Sequence, residues 1–183
     1  MQVIPEVYEL PQNHGWTAKP GHKILVLDRG AVLLEFPAHW FVQLGSQQID
    51  IRDGRSPEES KCVLAVSCLR LPAVDWSGLP LSRLLLEAVA GDDRERIAVG
   101  PIVEATREGL EVVWTELRVV DATERREARC RMCLARAPRV QSLLSFDFWP
   151  EDETRLAPVW ENVLESLRLN ARVDDPGRGR RIS

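Results

Sequence analysis

The sequence predicts an α+β domain in which a mostly antiparallel sheet meander is joined to a mid-chain helix and a C-terminal helix. Strand-like segments follow one another at short, even spacing between residues 97 and 148. Apolar residues recur at helical spacing from Leu81 to Val89, and a second apolar stripe begins at Trp160. Short connections between successive strands favour antiparallel neighbours, and a period of about 3.6 residues is typical of an amphipathic helix.

Length and composition limit the number of domains and the classes of partner. The chain has 183 residues, of which 44% are apolar and 28% are charged, so we expect one domain with an ordinary core. A net charge of -4 predicts no general attraction to nucleic acid or to acidic membranes. The first residues lack the regions of a signal peptide, and no apolar run approaches the ~18 residues of a membrane helix. We therefore expect a cytoplasmic protein with reduced cysteines.

Three segments divide the chain. Residues 1–22 are rich in Pro, Gly, Gln and Asn, and they predict an irregular N-terminal arm with one short strand near residues 7–10. Residues 23–170 predict the single α+β domain. Residues 171–183 are rich in Asp, Pro, Gly and Arg, a composition that predicts a disordered basic tail.

Two strands open the domain, at residues 24–27 and 31–36, with a turn between them. Pro37 ends the second strand, because proline has no N–H to donate to a ladder. The polar stretch 50–60 contains turn dipeptides and predicts a loop. A further strand follows at residues 61–71.

The first helix is predicted at residues 80–90, where a stripe of apolar residues would face the core. Gly91 follows it and is expected to end the helix in the left-handed conformation. The apolar residues of this stripe are Leu81, Leu84, Leu85, Ala88 and Val89.

The meander that follows shows a clear alternation in its third strand. Cys130 and Met132 fall on one face, and Arg129 and Arg131 fall on the other. We therefore expect one face to meet a core and the other to meet water at this end. The four predicted strands are residues 99–105, 110–120, 128–135 and 140–148.

The last helix is predicted at residues 154–167. Thr154 is expected to be its N-cap, and the acidic residues 151–153 lie where the helix dipole favours negative charge. Its apolar stripe consists of Trp160, Val163, Leu164 and Leu167.

Two local patterns carry a family resemblance. One is a strand that runs into Phe36-Pro37-Ala38-His39-Trp40, and the other is a closing helix that ends in Ser166-Leu167-Arg168-Leu169. Together with the element order, residues 23–170 resemble the PsbP-like α/β/α sandwich superfamily. That group includes PsbP, a Ran-binding nuclear import factor, DcrB-type bacterial proteins and secretion-effector chaperones. The resemblance implies docking, assembly or chaperoning, and it supplies no shared catalytic residues.

The cysteines do not predict a metal site. Cys130 and Cys133 form a lone Cys-x-x-Cys, and Cys62 and Cys68 would complete a set of four zinc ligands. Residues 130 and 133 are an odd number apart on a predicted strand, so their side chains point to opposite faces. We interpret all four as buried or half-buried thiols.

Other catalytic patterns are not found in the sequence. The histidines, His14, His22 and His39, have no neighbouring triad pattern, and the serines lack a nucleophile elbow. Carboxylates fall in loops and caps, and no glycine-rich phosphate loop occurs. The sequence therefore predicts a protein that is not an enzyme and that has no cofactor and no metal.

Arginines crowd the third meander strand and its turns. Arg129 and Arg131 share a face, where Glu116 and Glu111 of the preceding strand are placed to neutralise them. The alternative is a recognition surface for an acidic partner, since arginine pairs well with carboxylates. Trp76 lies in a loop, and tryptophan is enriched at binding hot spots. Arg129, Arg131 and Trp76 are therefore the candidate binding residues.

These observations lead to a non-catalytic protein-binding or adaptor module, with chaperone-like action included. The alternative is a small-molecule binder or enzyme with a pocket between sheet and helix, lined by Trp40, Trp114 and His39. A third hypothesis is a homodimer formed through a sheet edge or face. Each predicts a different use of the same fold.

Overall fold

The computed structural model describes residues 7–9, 18–107, 109–171 and 180–182. It contains two helices, α1 (Leu81–Ala90) and α2 (Glu153–Ser166). In chain order the strands are β1 (Val7–Glu9), β2 (His22–Leu27), β3 (Val32–Pro37), β4 (Phe41–Leu44), β5 (Ile49–Arg52), β6 (Cys62–Arg70), β7 (Arg96–Val99), β8 (Val103–Arg107), β9 (Leu110–Val120), β10 (Glu127–Ala137), β11 (Val140–Phe148), β12 (Arg168–Leu169) and β13 (Arg180–Ile182).

These strands form two antiparallel sheets. The large sheet has the order β4-β5-β6-β11-β10-β9-β7, and β8 also pairs with β9. The small sheet has the order β12-β3-β2-β1-β13. The predicted α+β class is confirmed, since most of the sheet pairing joins sequence neighbours and two helices pack on the result.

Two hydrophobic clusters lie on opposite faces of the large sheet. One joins Cys133 and Phe146 of the sheet to Trp160 of α2 and to residues of β2 and β3. The other joins Cys130 of the sheet to Leu85 of α1. We call the two faces the α2 face and the α1 face. Each face is covered by a helix, which gives the α/β/α layering.

The expectation that one face of β10 meets water was wrong for Arg131. That residue is buried on the α2 face, next to Glu116 and Glu153. The alternation itself is confirmed, because Cys130 and Cys133 belong to clusters on opposite faces. Alternation fixes which side chains share a face, but it does not say what covers that face.

The strands of the meander lie where the sequence predicts them, with one difference. The first predicted strand is divided into β7 and β8 by Gly100-Pro101. Two strands were missed, β4 and β5, and β5 overlaps the predicted loop at residues 50–60. The signal was present in Ile49-Asp50-Ile51-Arg52, where the two isoleucines are buried and the polar residues between them are half-buried.

The predicted N-cap of the last helix was wrong, and Gly91 caps the first helix as predicted but in another conformation. Thr154 lies inside α2, because a 3-10 turn at Pro150–Asp152 leads into a helix that begins at Glu153. Gly91 follows α1 with φ -79°, which is not the left-handed conformation. The apolar stripes are confirmed, since Leu81, Leu85 and Val89 of α1 are buried, as are Trp160 and Val163 of α2.

The chain ends are described only in part. The short strand predicted near residues 7–10 is present as β1, which pairs with β2 and with β13. The prediction of a disordered tail does not hold for β13, and residues 172–179 lie outside the described residues. Most of the predicted arm, including His14, lies outside them as well.

Candidate functional site

Trp76 lies half-buried in the loop between β6 and α1, where it borders a cleft of ≈ 330 Å³. Two hairpins complete this Trp76 cleft, the β8–β9 hairpin with Thr106 and Glu111 and the β10–β11 hairpin with Arg136. The indole Nε1 of Trp76 is buried and reaches no hydrogen-bond acceptor within the described part of the chain. Tertiary structure therefore brings three separate loops to one end of the large sheet.

A buried arginine forms one wall of this cleft. Arg136 is 5% exposed. Its Nη1 donates to the Leu79 carbonyl at 2.8 Å, and its Nη2 donates to Glu111 Oε2 at 2.6 Å. These contacts position the start of α1 on the sheet. The Glu111 side chain remains 49% exposed, so the carboxylate of this ion pair faces solvent at the cleft while the guanidinium is buried.

The loop of Trp76 is ordered by its own carboxylate. Asp75 accepts hydrogen bonds from the Ser77 N–H at 2.9 Å and from Ser77 Oγ at 3.0 Å. The Ser77 N–H is the largest cause of a lowered pKa of Asp75, so this group stays charged at neutral pH. Asp75 and Glu111 thus place two carboxylates around Trp76, and Arg136 offsets one of them.

The strands β7 and β8 lie on the outer side of β9. The Gly100 N–H donates to the Glu116 carbonyl at 2.7 Å, and the Val120 N–H donates to the Glu95 carbonyl at 2.8 Å. Main-chain N–H and C=O of one strand residue point to the same side, and the direction alternates along the strand. Even-numbered residues of β9 therefore direct their main-chain groups toward β7 and β8.

This direction decides which main-chain N–H and C=O groups of β8 remain without a partner in the sheet. Val103 and Ala105 pair with even-numbered residues of β9, so their main-chain groups point into the sheet. Those of Glu104 and Thr106 point away from it. No strand of the described chain pairs with this side, which we call the open edge.

The side chains of β8 divide between the two faces. Glu104 and Thr106 pair with Val113 and Glu111, so they lie on the α1 face with the Trp76 cleft. Val103 and Ala105 lie on the α2 face, and Val103 is 40% exposed. Thr106 itself lines the Trp76 cleft, so the open edge and the cleft form one continuous surface.

Arg129 and Arg131 are brought together on a single carboxylate. Arg129 Nη1 donates to Glu116 Oε1 at 3.0 Å, and Arg131 Nε donates to Glu116 Oε2 at 2.8 Å. The Arg131 side chain is 9% exposed and the Arg129 side chain 24%. The predicted cross-strand ion pairs with Glu116 are present. The pairing predicted for Glu111 was wrong, because its side chain lies on the α1 face and pairs with Arg136 there. This cluster lies on the α2 face, while Trp76 borders a cleft on the α1 face.

The region predicted as a ligand pocket is filled by aromatic rings. Trp40 packs on Phe146 with ring centroids 6.2 Å apart, and Trp114 meets Trp160 edge-on at 5.7 Å. His39 is exposed and lines none of this packing. The pocket expected at Trp40, Trp114 and His39 was therefore wrong, because the rings that were to line it fill the space instead.

Sequence reasoning also missed a second cleft, on the α1 face near the segment that follows α1. Arg94 borders this cleft of ≈ 180 Å³, which we call the Arg94 cleft, together with Lys61, Ala128 and Trp149. Arg94 donates to Asp147 Oδ1 at 2.5 Å and also pairs with Asp92. Its charge is thus offset by two carboxylates, Asp92 two residues before it and Asp147 of β11, which is 53 residues away in the sequence. No sequence pattern indicates that these three residues meet.

The cysteines are free thiols in the core or at its margin. Burial raises the pKa of Cys62, Cys130 and Cys133, and it raises that of Cys68 to about 11. A thiol with a raised pKa is a poor nucleophile at neutral pH. Among the described residues, no group of three or more His, Cys, Asp or Glu is placed to hold a metal ion. Within that same part of the chain, no helix has the length and apolar character needed to cross a membrane.

Comparison with protein families identifies relatives over almost the whole chain. A family model described as Alr1449 matches residues 23–173. A protein of Nostoc sp. (strain PCC 7120), described as uncharacterized protein alr1449, is 36% identical over 180 residues, which cover 98% of this chain and 93% of that protein.

Solved structures share the fold at low sequence identity. Cyanobacterial PsbP (CyanoP) from Synechocystis sp. PCC 6803 has a TM-score of 0.56 at 13% identity, over 86% of this chain and 97% of that one. LpqN of Mycobacterium tuberculosis, described as involved in cell envelope biogenesis, has a TM-score of 0.54 at 12% identity, over 79% and 87%. The Ran-binding protein Mog1p of Saccharomyces cerevisiae has a TM-score of 0.50 at 13% identity, over 81% and 95%. The PsbP-like fold expected from the resemblance is confirmed.

Proposed function

The chain belongs to the Alr1449 family, and from its geometry we propose that it is a non-catalytic protein-binding module, adaptor-like or chaperone-like, whose partner contacts the Trp76 cleft and the open edge of β8. The observation that carries the proposal is the continuity of these two features. A half-buried tryptophan, a carboxylate pair and unpaired main-chain groups lie on one surface. Such a surface is suited to a protein partner, since interfaces combine aromatic anchors with main-chain hydrogen bonds.

The structural relatives support the same class of function. Mog1p is a Ran-binding protein, so one protein with this fold binds another protein. Because the identity is only 13%, this likeness supports protein binding as the class of function, and it does not indicate which protein is bound. A cytoplasmic location and the absence of nucleic-acid and membrane partners stay predictions from composition.

Arg129 and Arg131 are proposed as a secondary contact for an acidic partner. Glu116 accepts from both guanidinium groups, Glu127 lies 3.5 Å from Arg129 and Glu153 lies 3.7 Å from Arg131, so a partner carboxylate would compete with these side chains for the arginines. Arg129 is the more exposed of the two and is the one that would reach a partner, while Arg131 would hold Glu116 in place. Arg129→Glu should then weaken partner binding severalfold, and binding unchanged by that reversal would exclude this contact.

The primary contact is tested by removing the tryptophan. We expect Trp76→Ala to weaken the dissociation constant for the partner at least about tenfold, because a tryptophan hot spot contributes about 2 kcal/mol or more. The partner is first identified by affinity purification from the native cell and then titrated as a purified protein. Leu86→Ala is the matched control, since it removes an exposed apolar side chain from α1. Equal binding by both variants would refute the Trp76 contact.

A second candidate function is small-molecule binding in the Arg94 cleft. Its apolar wall at Ala128 and Phe148 and its charged groups at Lys61 and Arg94 are features of a ligand site. Its volume of ≈ 180 Å³ is below the roughly 300 Å³ at which such sites begin, so it ranks second. Ligand-observed NMR with a fragment library should show hits that Ala128→Leu removes. A screen without hits, or hits that survive this substitution, would reject the site.

A further inference from the structure

We propose that the open edge of β8 receives a short extended segment of the partner as an additional antiparallel strand, with basic side chains on the α1 face and β-branched aliphatic side chains on the α2 face. The inference rests on the proposed function, and it specifies the chemistry of the partner. Three properties of the edge support it: its main-chain groups, its length and its charge.

The main-chain groups of Glu104 and Thr106 point outward and have no strand beside them in the described part of the chain. An edge of this kind pairs with an extended segment, which supplies the missing donors and acceptors. Every pairing in the large sheet is antiparallel, and an antiparallel neighbour is the slightly more stable one per residue.

The length of the edge limits the length of the segment. Pro101 lacks an N–H, and a register shift interrupts the pairing of β7 between Arg96 and Ala98. These are devices by which natural sheets prevent uncontrolled edge pairing. They leave the five residues of β8 as the regular stretch, so we expect a partner segment of about five residues to pair.

The charge of the α1 face selects basic side chains. Glu104 and Glu111 are diagonal neighbours on adjacent strands, at roughly 7–8 Å between their backbones. Asp75 stands across the Trp76 cleft, and Arg136 offsets only Glu111. Within the described residues Glu104 forms no ion pair. Side chains opposite Glu104 and Thr106 would therefore be lysine or arginine.

The α2 face of the same edge selects aliphatic side chains. Val103 and Ala105 are exposed there and carry no charge. Because side chains of an added strand alternate between faces, the segment should alternate basic and β-branched residues.

A second copy of this chain is the less favourable occupant. Pairing two β8 strands around a twofold axis would place Glu104 of each copy as diagonal neighbours on one acidic face. Each copy also carries a net charge of -4. Like charges across adjacent strands destabilise the pair, so a basic segment is preferred.

The experiment uses the full chain and a blocked seven-residue peptide in which lysine alternates with valine. In the proposed strand, the N–H groups of the lysines point to β8 and those of the valines point to solvent. We expect N-methylation of the lysines to weaken binding at least about tenfold, since two main-chain hydrogen bonds are lost, and N-methylation of the valines to leave it unchanged within about twofold. Equal affinity of all three peptides would overturn the strand pairing, as would no binding by the unmodified peptide.

Two variants of the chain test the register and the charge. Thr106→Pro removes an outward N–H without altering the pairing of β8 with β9. Glu104→Arg reverses the charge of the edge. Each substitution should weaken the affinity of the chain for the lysine–valine peptide at least about tenfold. Glu124→Arg is the matched control, since it makes the same charge change in an exposed turn. If Thr106→Pro unfolds the chain, as judged by circular dichroism, Glu104→Arg decides alone. Unaltered peptide affinity in Glu104→Arg would refute the acidic face.

The outcomes separate this inference from the proposed function. Loss of partner binding in Trp76→Ala, with no peptide binding at the edge, would overturn the strand while the binding module stands. If partner binding is unchanged in Trp76→Ala and in Glu104→Arg, both the proposed binding surface and the added strand are overturned. A dimer by light scattering that Thr106→Pro changes to a monomer would assign the edge to a second copy and overturn the basic segment.

Discussion

Asp53 is the residue that joins the start of β6 to α2. Its Oδ1 accepts hydrogen bonds from the N–H groups of Lys61 at 2.8 Å and Cys62 at 2.9 Å, and its Oδ2 accepts one from Arg155 Nη2 at 2.9 Å. Burial acts to raise the pKa of Asp53, but the hydrogen bonds from Cys62, Lys61 and Arg155 outweigh this effect and hold the pKa below the ordinary value of an aspartate. The sequence showed only an Asp-Gly turn dipeptide here.

Replacing this carboxylate should destabilise the fold in a pH-dependent way. We expect Asp53→Ala to lower the free energy of unfolding by about 1–3 kcal/mol at pH 7, since buried donors lose their acceptor. The folded-state pKa lies below the unfolded value, so the charged form stabilises the fold above about pH 4 and this contribution disappears as the pH falls through the folded-state pKa. Urea unfolding from pH 7 to pH 3 should show the two proteins converging. A constant difference would contradict the assigned role. Asp93→Ala is the control, since it removes an exposed carboxylate that has no ion pair or hydrogen bond among the described residues.

Thiol chemistry is a second property of single residues. Since burial raises the pKa of all four thiols, native alkylation at pH 7.5 should be slow, and Cys68 should react first because it is only partly buried. Mass spectrometry after timed iodoacetamide treatment measures the order. Fast labelling of Cys130 or Cys133 would show that the core opens at that face of β10.

At the scale of elements, Arg107 connects the β8–β9 hairpin to the end of α2. Its guanidinium donates to the carbonyls of Leu164 and Glu165, which lie in the last turn of α2 and lack helical partners, and to the carbonyl of Leu167 just after the helix. A cation at a helix C-terminus also interacts favourably with the helix dipole. The same strand that offers the open edge is thereby anchored to α2.

We expect Arg107→Ala to lower the free energy of unfolding by about 1 kcal/mol, because the last carbonyls of α2 lose their donor. Arg107→Lys should recover only part of this, since a single ammonium cannot reproduce the fork of donors. Urea unfolding gives both values. Arg83→Ala, which removes an exposed helix pair, should change stability by less than about 0.5 kcal/mol and is the control. A loss no larger than this control would show that Arg107 is not a cap.

At the scale of the whole molecule, the large sheet is protected at its centre and open at β8. Native-state hydrogen exchange should therefore be slowest in β10, which has strands on both sides and a helix over each face. Within β8, the amides of Glu104 and Thr106 should exchange faster than that of Ala105, whose N–H points into the sheet. Equal protection along β8 would contradict the open edge.

The sequence was informative wherever local patterns repeat over many residues. The three long strands of the meander and both helix stripes follow from periodicity in 3.6 or in 2. The short strands β4 and β5 were missed because each has only four residues. Those of β5 alternate inside a polar segment, and those of β4 show no alternation. The start of α2 was also missed, since Thr154 is a good cap residue that lies inside the helix. Gly91 does cap α1 as predicted, but in the right-handed conformation.

What the amino-acid sequence by itself determined is the α+β order of elements, the two helix stripes, the alternation of β10 and the PsbP-like resemblance. These depend on contacts between near neighbours in the chain. Only the tertiary structure decided that both faces of the large sheet are covered, that Arg131 is buried, that aromatic rings fill the predicted pocket, and that Trp76, Glu111 and Arg136 share a cleft beside β8. The physical reason is that burial and cleft formation depend on which distant segments pack together, and the spacing of residues along one strand carries no record of that packing.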